Sequence, residues 1–235
     1  MTEQEVHLLL SDVKIDNDNL DYIKMTGEIC GKLRFDLVKL FAIPAIINRR
    51  ELLITYNKYI LDRLTDIWIT LWEEIMSYVD IDLCNIWEDI SSGKGSMVSP
   101  KIAKEFMSPY YKKISDFLKS KKIDIFLVDT DGDCNELVPI FIEAGVTGMY
   151  PMEVSAGMNV IELRKKYPDF FIMGGIPKFE ISHGKEKINE ILEPVKWLLK
   201  QGGFIPFGDH LIPPEISWTN FKYYREKLNY LIDNS

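Results

Sequence analysis

The chain is expected to fold as α/β around a parallel sheet, in the manner of a (β/α)₈ TIM-type barrel. Three features of the sequence point there. Short apolar runs alternate with helical patterns from residue 81 to the end. The runs are continuously apolar rather than alternating, as in strands buried on both faces. Five strand–helix units fill roughly 155 residues, about 31 each, which is the pace of a barrel of about 250 residues.

The elements follow in order. From Arg49 to Tyr78 apolar residues recur at helical spacing, among them Tyr56, Ile60, Leu64, Ile67, Trp68, Leu71, Trp72 and Ile75. This predicts one long amphipathic helix with its aromatic stripe in the core. Ile81–Trp87 is the first strand and ends in Glu88–Asp89. Ser99 and Pro100 then supply an N-cap and a first-turn proline for a helix to Ser120. Ile123–Val128 ends at Asp129, and a helix from Asn135 to Ala144 is closed by Gly145. Val146–Tyr150 ends in Pro151–Met152–Glu153, before a helix over Asn159–Tyr167. Phe170–Met173 ends in Gly174–Gly175, before Lys185–Gln201. Phe204–Phe207 ends in Gly208–Asp209–His210, before Trp218–Asp233.

The front of the chain has no room for three more such units. Gly27–Phe41 offers one further strand and its turn. The expectation is a single domain over 1–235, with a mostly helical part at 1–80 and five clear units at 81–235. That is a barrel short of one or two N-terminal units. A doubly wound open sheet is the alternative.

The 235 residues carry 28 Lys+Arg against 36 Asp+Glu, a formal net charge of -8. That sign disfavours nucleic acid as a partner, and Lys112–Lys113 and Lys119–Lys122 lie on helical patterns as solvated faces. The longest apolar run, Leu40–Ile47, is far below the roughly 20 residues of a membrane span. The first residues lack a basic stretch and a cleavage site, so no signal peptide is expected. Cys30, Cys84 and Cys134 are too few and too far apart for a disulfide framework. A cytoplasmic protein with no membrane partner is the expectation.

Ligands of parallel α/β folds bind at the carboxyl ends of the strands. Acids gather there in this sequence. Crowded carboxylates raise one another's pKa or hold a cation. Solvated loop acids are the plain alternative in an acidic chain. Asp129, Asp131, Asp209 and His210 are the candidate catalytic residues. Glu88, Asp89, Tyr150, Glu153, Gly174 and Gly175 are the candidate contacts to a small-molecule substrate. Asp129, Asp131, Glu153 and His210 are the candidate ligands of a divalent metal. His210, beside an acid, suits an acid, base or ligand at neutral pH, whereas His7 and His183 are expected at the surface. The glycine pair either cradles an anion or forms a tight strand end. Cys134 opens a helix, which either activates a thiol or simply buries one.

Asp129-Thr130-Asp131-Gly132-Asp133 fails as an EF-hand loop, since Cys134 stands where the glycine is needed and Ile140 where the glutamate is. It also resembles the motif of haloacid-dehalogenase-type phosphatases, with Asp129 as nucleophile, Asp131 as acid/base and Mg²⁺ as cofactor. Against that, Asp133 replaces the expected Thr, and Pro213 stands where a second acid should follow Asp209.

From about residue 84 onward the chain resembles the uroporphyrinogen decarboxylase family, which includes corrinoid-dependent methyltransferases. The resemblance rests on Trp87-Glu88-Asp89-Ile90, Val98-Ser99-Pro100, Val128-Asp129-Thr130-Asp131-Gly132, Glu143-Ala144-Gly145-Val146 and Pro151-Met152-Glu153. Its strongest segments are Gly174-Gly175-Ile176-Pro177-Lys178, Gly202-Gly203-Phe204-Ile205-Pro206 and Asp209-His210-Leu211-Ile212-Pro213-Pro214. It implies a (β/α)₈ barrel and porphyrin- or corrinoid-linked metabolism. The enzyme would be a decarboxylase-like lyase or a methyltransferase, with a corrinoid or a corrinoid protein as cofactor or partner.

Two departures bear on function. The arginine-rich clamp that the decarboxylase branch carries near its N-terminus is not found, and none of Arg34, Arg49, Arg50, Arg63, Arg164 and Arg225 follows a strand end. In place of the methyltransferase branch's His-x-Cys and later Cys stand Asp129-x-Asp131 and Asp209–His210, so no Cys-type zinc site is expected. If barrel units are missing, the chain is instead a non-catalytic remnant or a fragment completed by a partner, and its open edge would favour a homodimer.

Overall fold

A computed structural model of the chain describes residues 50–235, with side-chain surroundings from Lys58 onward. Gly27–Phe41, Leu40–Ile47, His7 and Cys30 lie outside the described residues, which fall into two compact units divided between Trp68 and Ile69.

Helix α1 (Arg50–Ile75) runs from the first unit into the second. It stops short of Tyr78, whose N–H turns back to the Ile75 carbonyl at 2.9 Å. Its aromatic stripe corrects the expectation of a core face. Leu64, Ile67 and Trp68 are exposed in the first unit. In the second, Trp72 and Met76 pack on the core while Leu71 and Ile75 are exposed.

The second unit holds a sheet of five parallel strands among the described residues. They are β1 (Leu83–Trp87), β4 (Ile125–Asp129), β5 (Gly148–Tyr150), β6 (Phe171–Met173) and β7 (Phe204–Ile205), side by side in that order. Sheet neighbours are also chain neighbours, apart from the small hairpin β2–β3 (Ser91–Ser92 with Gly95–Ser96) after β1. Strand order never reverses, which argues against a doubly wound sheet. The arrangement is compatible with a partial α/β barrel.

Register explains how the sheet separates core from site. Ile86, Val128, Met149, Ile172 and Phe204 lie opposite one another across the five strands, and all belong to or pack on the apolar core. Side chains alternate along a strand. The next row, Trp87–Asp129–Tyr150, therefore faces the other way.

Helices return the chain after each strand. Ser99 Oγ accepts the Ile102 N–H at 3.3 Å, with Pro100 at the first position, as expected. The run is not one regular helix: α2 (Pro100–Ile102) passes through a π turn at Ala103–Met107 into α3 (Ser108–Ser120). Pro109 has no N–H for the carbonyl four residues back, so the ladder cannot pass unchanged. Ser108 N–H instead reaches Ala103, five residues back. Helices α4 (Val138–Glu143) and α5 (Val160–Lys166) are shorter than expected. Helices α6 (Lys185–Gln201) and α7 (Trp218–Asp233) span the expected residues, the latter capped by Ser217. Two 3₁₀ turns that periodicity does not announce, Val154–Ala156 and Lys178–His183, follow β5 and β6. No helix among the described residues is long and apolar enough to cross a membrane.

Candidate active site

The Trp87–Asp129–Tyr150 row opens on a cavity of about 600 Å³, which Asp131 and His210 also line. That volume suits a small molecule. Its walls are largely apolar, with aromatic rings from Trp87 and Phe207 to Phe221 of α7. Three of the four catalytic candidates thus meet in one place, together with Tyr150.

Their electrostatics are distinct. Burial pushes the Asp129 carboxyl above its usual range, and the Asp131 charge adds to this. The neighbouring Tyr150 hydroxyl works in the opposite direction, as does His210. Burial and the Asp129 charge raise the Tyr150 phenol in turn, while the nearby Asn85 side chain opposes them. Asp89 is exposed at φ 51 and adds its charge to the same field. His210 Nε2 lies 3.3 Å from Asp131 Oδ2. Buried Thr130, between the two acids, anchors the strand end. Its N–H donates to the Tyr150 carbonyl at 2.9 Å and its Oγ1 accepts from Ile90 at 3.1 Å.

Asp209, the fourth catalytic candidate, lies outside the cavity lining. It is 1% exposed. Its Oδ2 accepts the N–H groups of Val154 and Ser155 at 3.0 and 3.3 Å, and its Oδ1 accepts the Lys178 N–H at 2.9 Å. The Lys178 ammonium lies 3.7 Å away. These bonds make Asp209 an anchor that holds the backbone leading into His210.

Glu153 belongs to the same knot. Its Oε1 accepts from Lys178 at 3.3 Å and Ser155 at 3.1 Å, and its Oε2 from Gly132 N–H at 3.1 Å. Burial pushes this carboxyl up, but those donors outweigh burial and hold it below the usual range. Lys178 is buried between Glu153 and Asp209, a place that a lysine following a proline does not announce in the sequence. Its position just after a strand end that faces two acids was the available signal.

The remaining expected contacts disperse. Glu88 accepts from the Tyr111 hydroxyl, and burial raises its carboxyl despite that bond. Gly174 packs on the Phe207 ring. At Gly175 a Cβ would sit 2.2 Å from Val160 Cγ1, so that glycine is required by packing. Neither glycine lines the cavity.

A metal fits poorly. Among the described residues, no group of three or more His, Cys, Asp or Glu side chains is placed to hold an ion. Asp129, Asp131, Glu153 and His210 therefore do not assemble as a ligand set, since Glu153 turns to Lys178 and Gly132. The two described cysteines do not serve as thiolates either: burial pushes Cys84 up to about 11 and Cys134 to about 12.

No protein-family model matches the chain, and no curated protein does. Among solved structures, a methyltransferase from Methanosarcina mazei is similar, with a TM-score of 0.52 at 16% sequence identity. The match covers 93% of this chain and 69% of that one. At that identity the likeness concerns the fold, an α/β arrangement of parallel strands and helices.

Proposed function

We propose that the chain is a methyltransferase-type enzyme of the uroporphyrinogen decarboxylase family, built on a partial α/β barrel and acting on a small organic substrate. One observation carries the reading: Asp129, a carboxyl displaced toward its neutral form, stands beside Tyr150 in a cavity that also holds the His210–Asp131 pair. The fold likeness to a methyltransferase supports it, as do the segments Gly174–Lys178 and Asp209–Pro214. With Cys84 and Cys134 both free, a reducing compartment, the cytoplasm, is the proposed location.

Removing a methyl group from oxygen, nitrogen or sulfur leaves an electron pair on the departing atom. Neutral Asp129 supplies the proton to that atom as the methyl bonds to its acceptor, and Tyr150 orients the carboxyl. The donor leaves protonated and Asp129 becomes anionic. His210, oriented by Asp131, carries the proton that restores it. The acceptor that the family resemblance implies is a corrinoid, which supplies a strong nucleophile when bound. A cavity of about 600 Å³ is the size of a small-molecule site, so that group would be presented by a partner protein.

Porphyrinogen decarboxylation has less support. Among the described residues Arg225 is the single arginine on the cavity, and a substrate with many carboxylates needs several such partners. The phosphatase alternative, with Asp129 as nucleophile and Asp131 as acid/base, has less support as well, since Asp133 and Pro213 stand where its motif needs a Thr and a second acid.

The test incubates purified protein with reduced cobalamin and a panel of methylated amines, thioethers and aryl methyl ethers, following methylation of the cobalt by absorbance. A donor consumed by the wild type and about 100-fold slower with Asp129→Asn is the expected result. No transfer from any donor, or undiminished rates in Asp129→Asn and His210→Ala, would overturn the proposal.

A further inference from the structure

The cavity has a second polar region on α7, where Tyr224 and Arg225 line its wall. Arg225 is half-buried and makes no ion pair among the described residues. One of its five N–H donors goes to Asn229 Oδ1 at 3.0 Å, which leaves most of the guanidinium uncommitted. Tyr224 is 1% exposed, and its buried hydroxyl has no hydrogen-bond partner. The Arg225 guanidinium lies near this hydroxyl without bonding it; burial outweighs its charge and pushes the phenol up to about 12, so at neutral pH it is a donor. A buried hydroxyl left without a partner bears its full desolvation cost, and a ligand that accepts from it removes that cost. Neither acid of the cavity makes an ion pair with Arg225, and Asp131 faces His210 instead.

We propose that Arg225 and Tyr224 bind an oxyanion of the substrate, a carboxylate, sulfonate or phosphate, while its reacting group meets Asp129. The proposal rests on the reading of this cavity as the substrate site. A guanidinium fork matches two oxygens of such a group, the phenol supplies a further donor, and the aromatic walls take an apolar body.

The test reads binding without turnover. Affinities of the full chain for para-fluorobenzoate, para-fluorobenzenesulfonate and para-fluorophenyl phosphate are measured by fluorine NMR beside neutral para-fluorobenzamide. At least one anion is expected to bind about tenfold or more tightly than the amide. Arg225→Gln erases that preference, and Tyr224→Phe weakens only the anion. Arg225→Lys, which keeps the charge and loses the fork, retains part of the preference and serves if Arg225→Gln does not fold. The three anions separate the chemical classes by which binds best. Equal affinity for anions and amide, or a preference that survives Arg225→Gln, overturns the proposal. Anion selectivity in a protein that transfers no methyl group upholds it and removes the methyltransferase reading. A methyl donor consumed at the wild-type rate by Arg225→Gln upholds that reading and overturns this one.

Discussion

His210 Nε2 and Asp131 Oδ2 stand 3.3 Å apart, joining the segment after β7 to the loop after β4 at the carboxyl edge of the sheet. The side chains are 36% and 37% exposed. An ion pair that open contributes about 0–1 kcal/mol to folding. Its value is therefore chemical: a carboxylate fixes the ring orientation of an imidazole acid or base. His210→Ala is expected to lower kcat by about 10²–10⁴-fold, while the melting temperature moves by no more than about 4 °C. Full retention of activity would remove His210 from the mechanism, and loss of the fold would make it structural.

Asp129 carries a pH dependence whose sign follows from its environment. Burial, reinforced by Asp131, lifts its pKa above the ordinary 3.8. The folded protein then holds this proton more tightly than the unfolded chain does. The stability contributed is fully present below 3.8 and is lost as the pH rises through the folded value. Asp129→Asn removes the penalty. At pH 7 the variant should melt above the wild type, with the gap closing as the pH is lowered toward 4, and it should be nearly inactive. Wild-type turnover should decline as the pH rises through the same ionisation, since the neutral acid is the donor. A variant less stable than the wild type at pH 7 would contradict the assigned environment.

Asp129, Tyr150 and His210 come from three separate apolar runs, and they were legible for one reason. A strand buried on both faces appears as a continuous apolar run, and the residues ending it form the mouth of the sheet. Glu153 and Asp209 satisfy the same rule, yet their carboxylates turn onto Lys178 and backbone N–H groups. The 3₁₀ turns that offer those amides carry no hydrophobic period, so nothing in the pattern announces them. Arg225 follows no strand end, and it reaches the cavity from within a helix, which the strand-end rule does not mark. The apolar stripe of α1 has a clear period, but a period marks a face without saying what covers it.

The knot of Glu153, Lys178 and Asp209 should govern acid and chemical stability. Asp209→Ala leaves three backbone N–H groups and the Lys178 ammonium short of an acceptor. Breaking a buried pair in this way costs about 3–5 kcal/mol. Urea unfolding should show it as a lower midpoint with an unchanged slope. Glu153 is held below its ordinary 4.5, so its contribution is present above that pH and is lost as the pH falls through the folded value. Glu153→Gln should therefore be less stable than the wild type at pH 7, with the difference shrinking in acid. A constant difference from pH 7 to pH 3 would mean that the charge of Glu153 is not what stabilises the knot.

Gly132 ties that knot to the chemistry. Its N–H reaches Glu153 Oε2 at 3.1 Å, and the next N–H, of Asp133, bonds the Ser92 carbonyl at 2.9 Å. At φ +80 a Cβ here would lie 2.5 Å from the Ser92 nitrogen, so the loop after β4 rests directly on hairpin backbone. Gly132→Ala must strain φ and push the hairpin or the loop aside, at a cost of about 1–3 kcal/mol. Any shift of the loop carries Asp131, the preceding residue, away from His210. Misplacement by about 1 Å can cost about 100-fold in rate, so activity should fall by about 10- to 100-fold. Gly184→Ala is the control: its φ is +94 with nothing within 4 Å of the added Cβ, so it bears backbone strain alone. If both variants lose stability and only Gly132→Ala loses activity, the loop position sets the His210–Asp131 pair. Equal activity in the two variants would separate that pair from the packing beneath it.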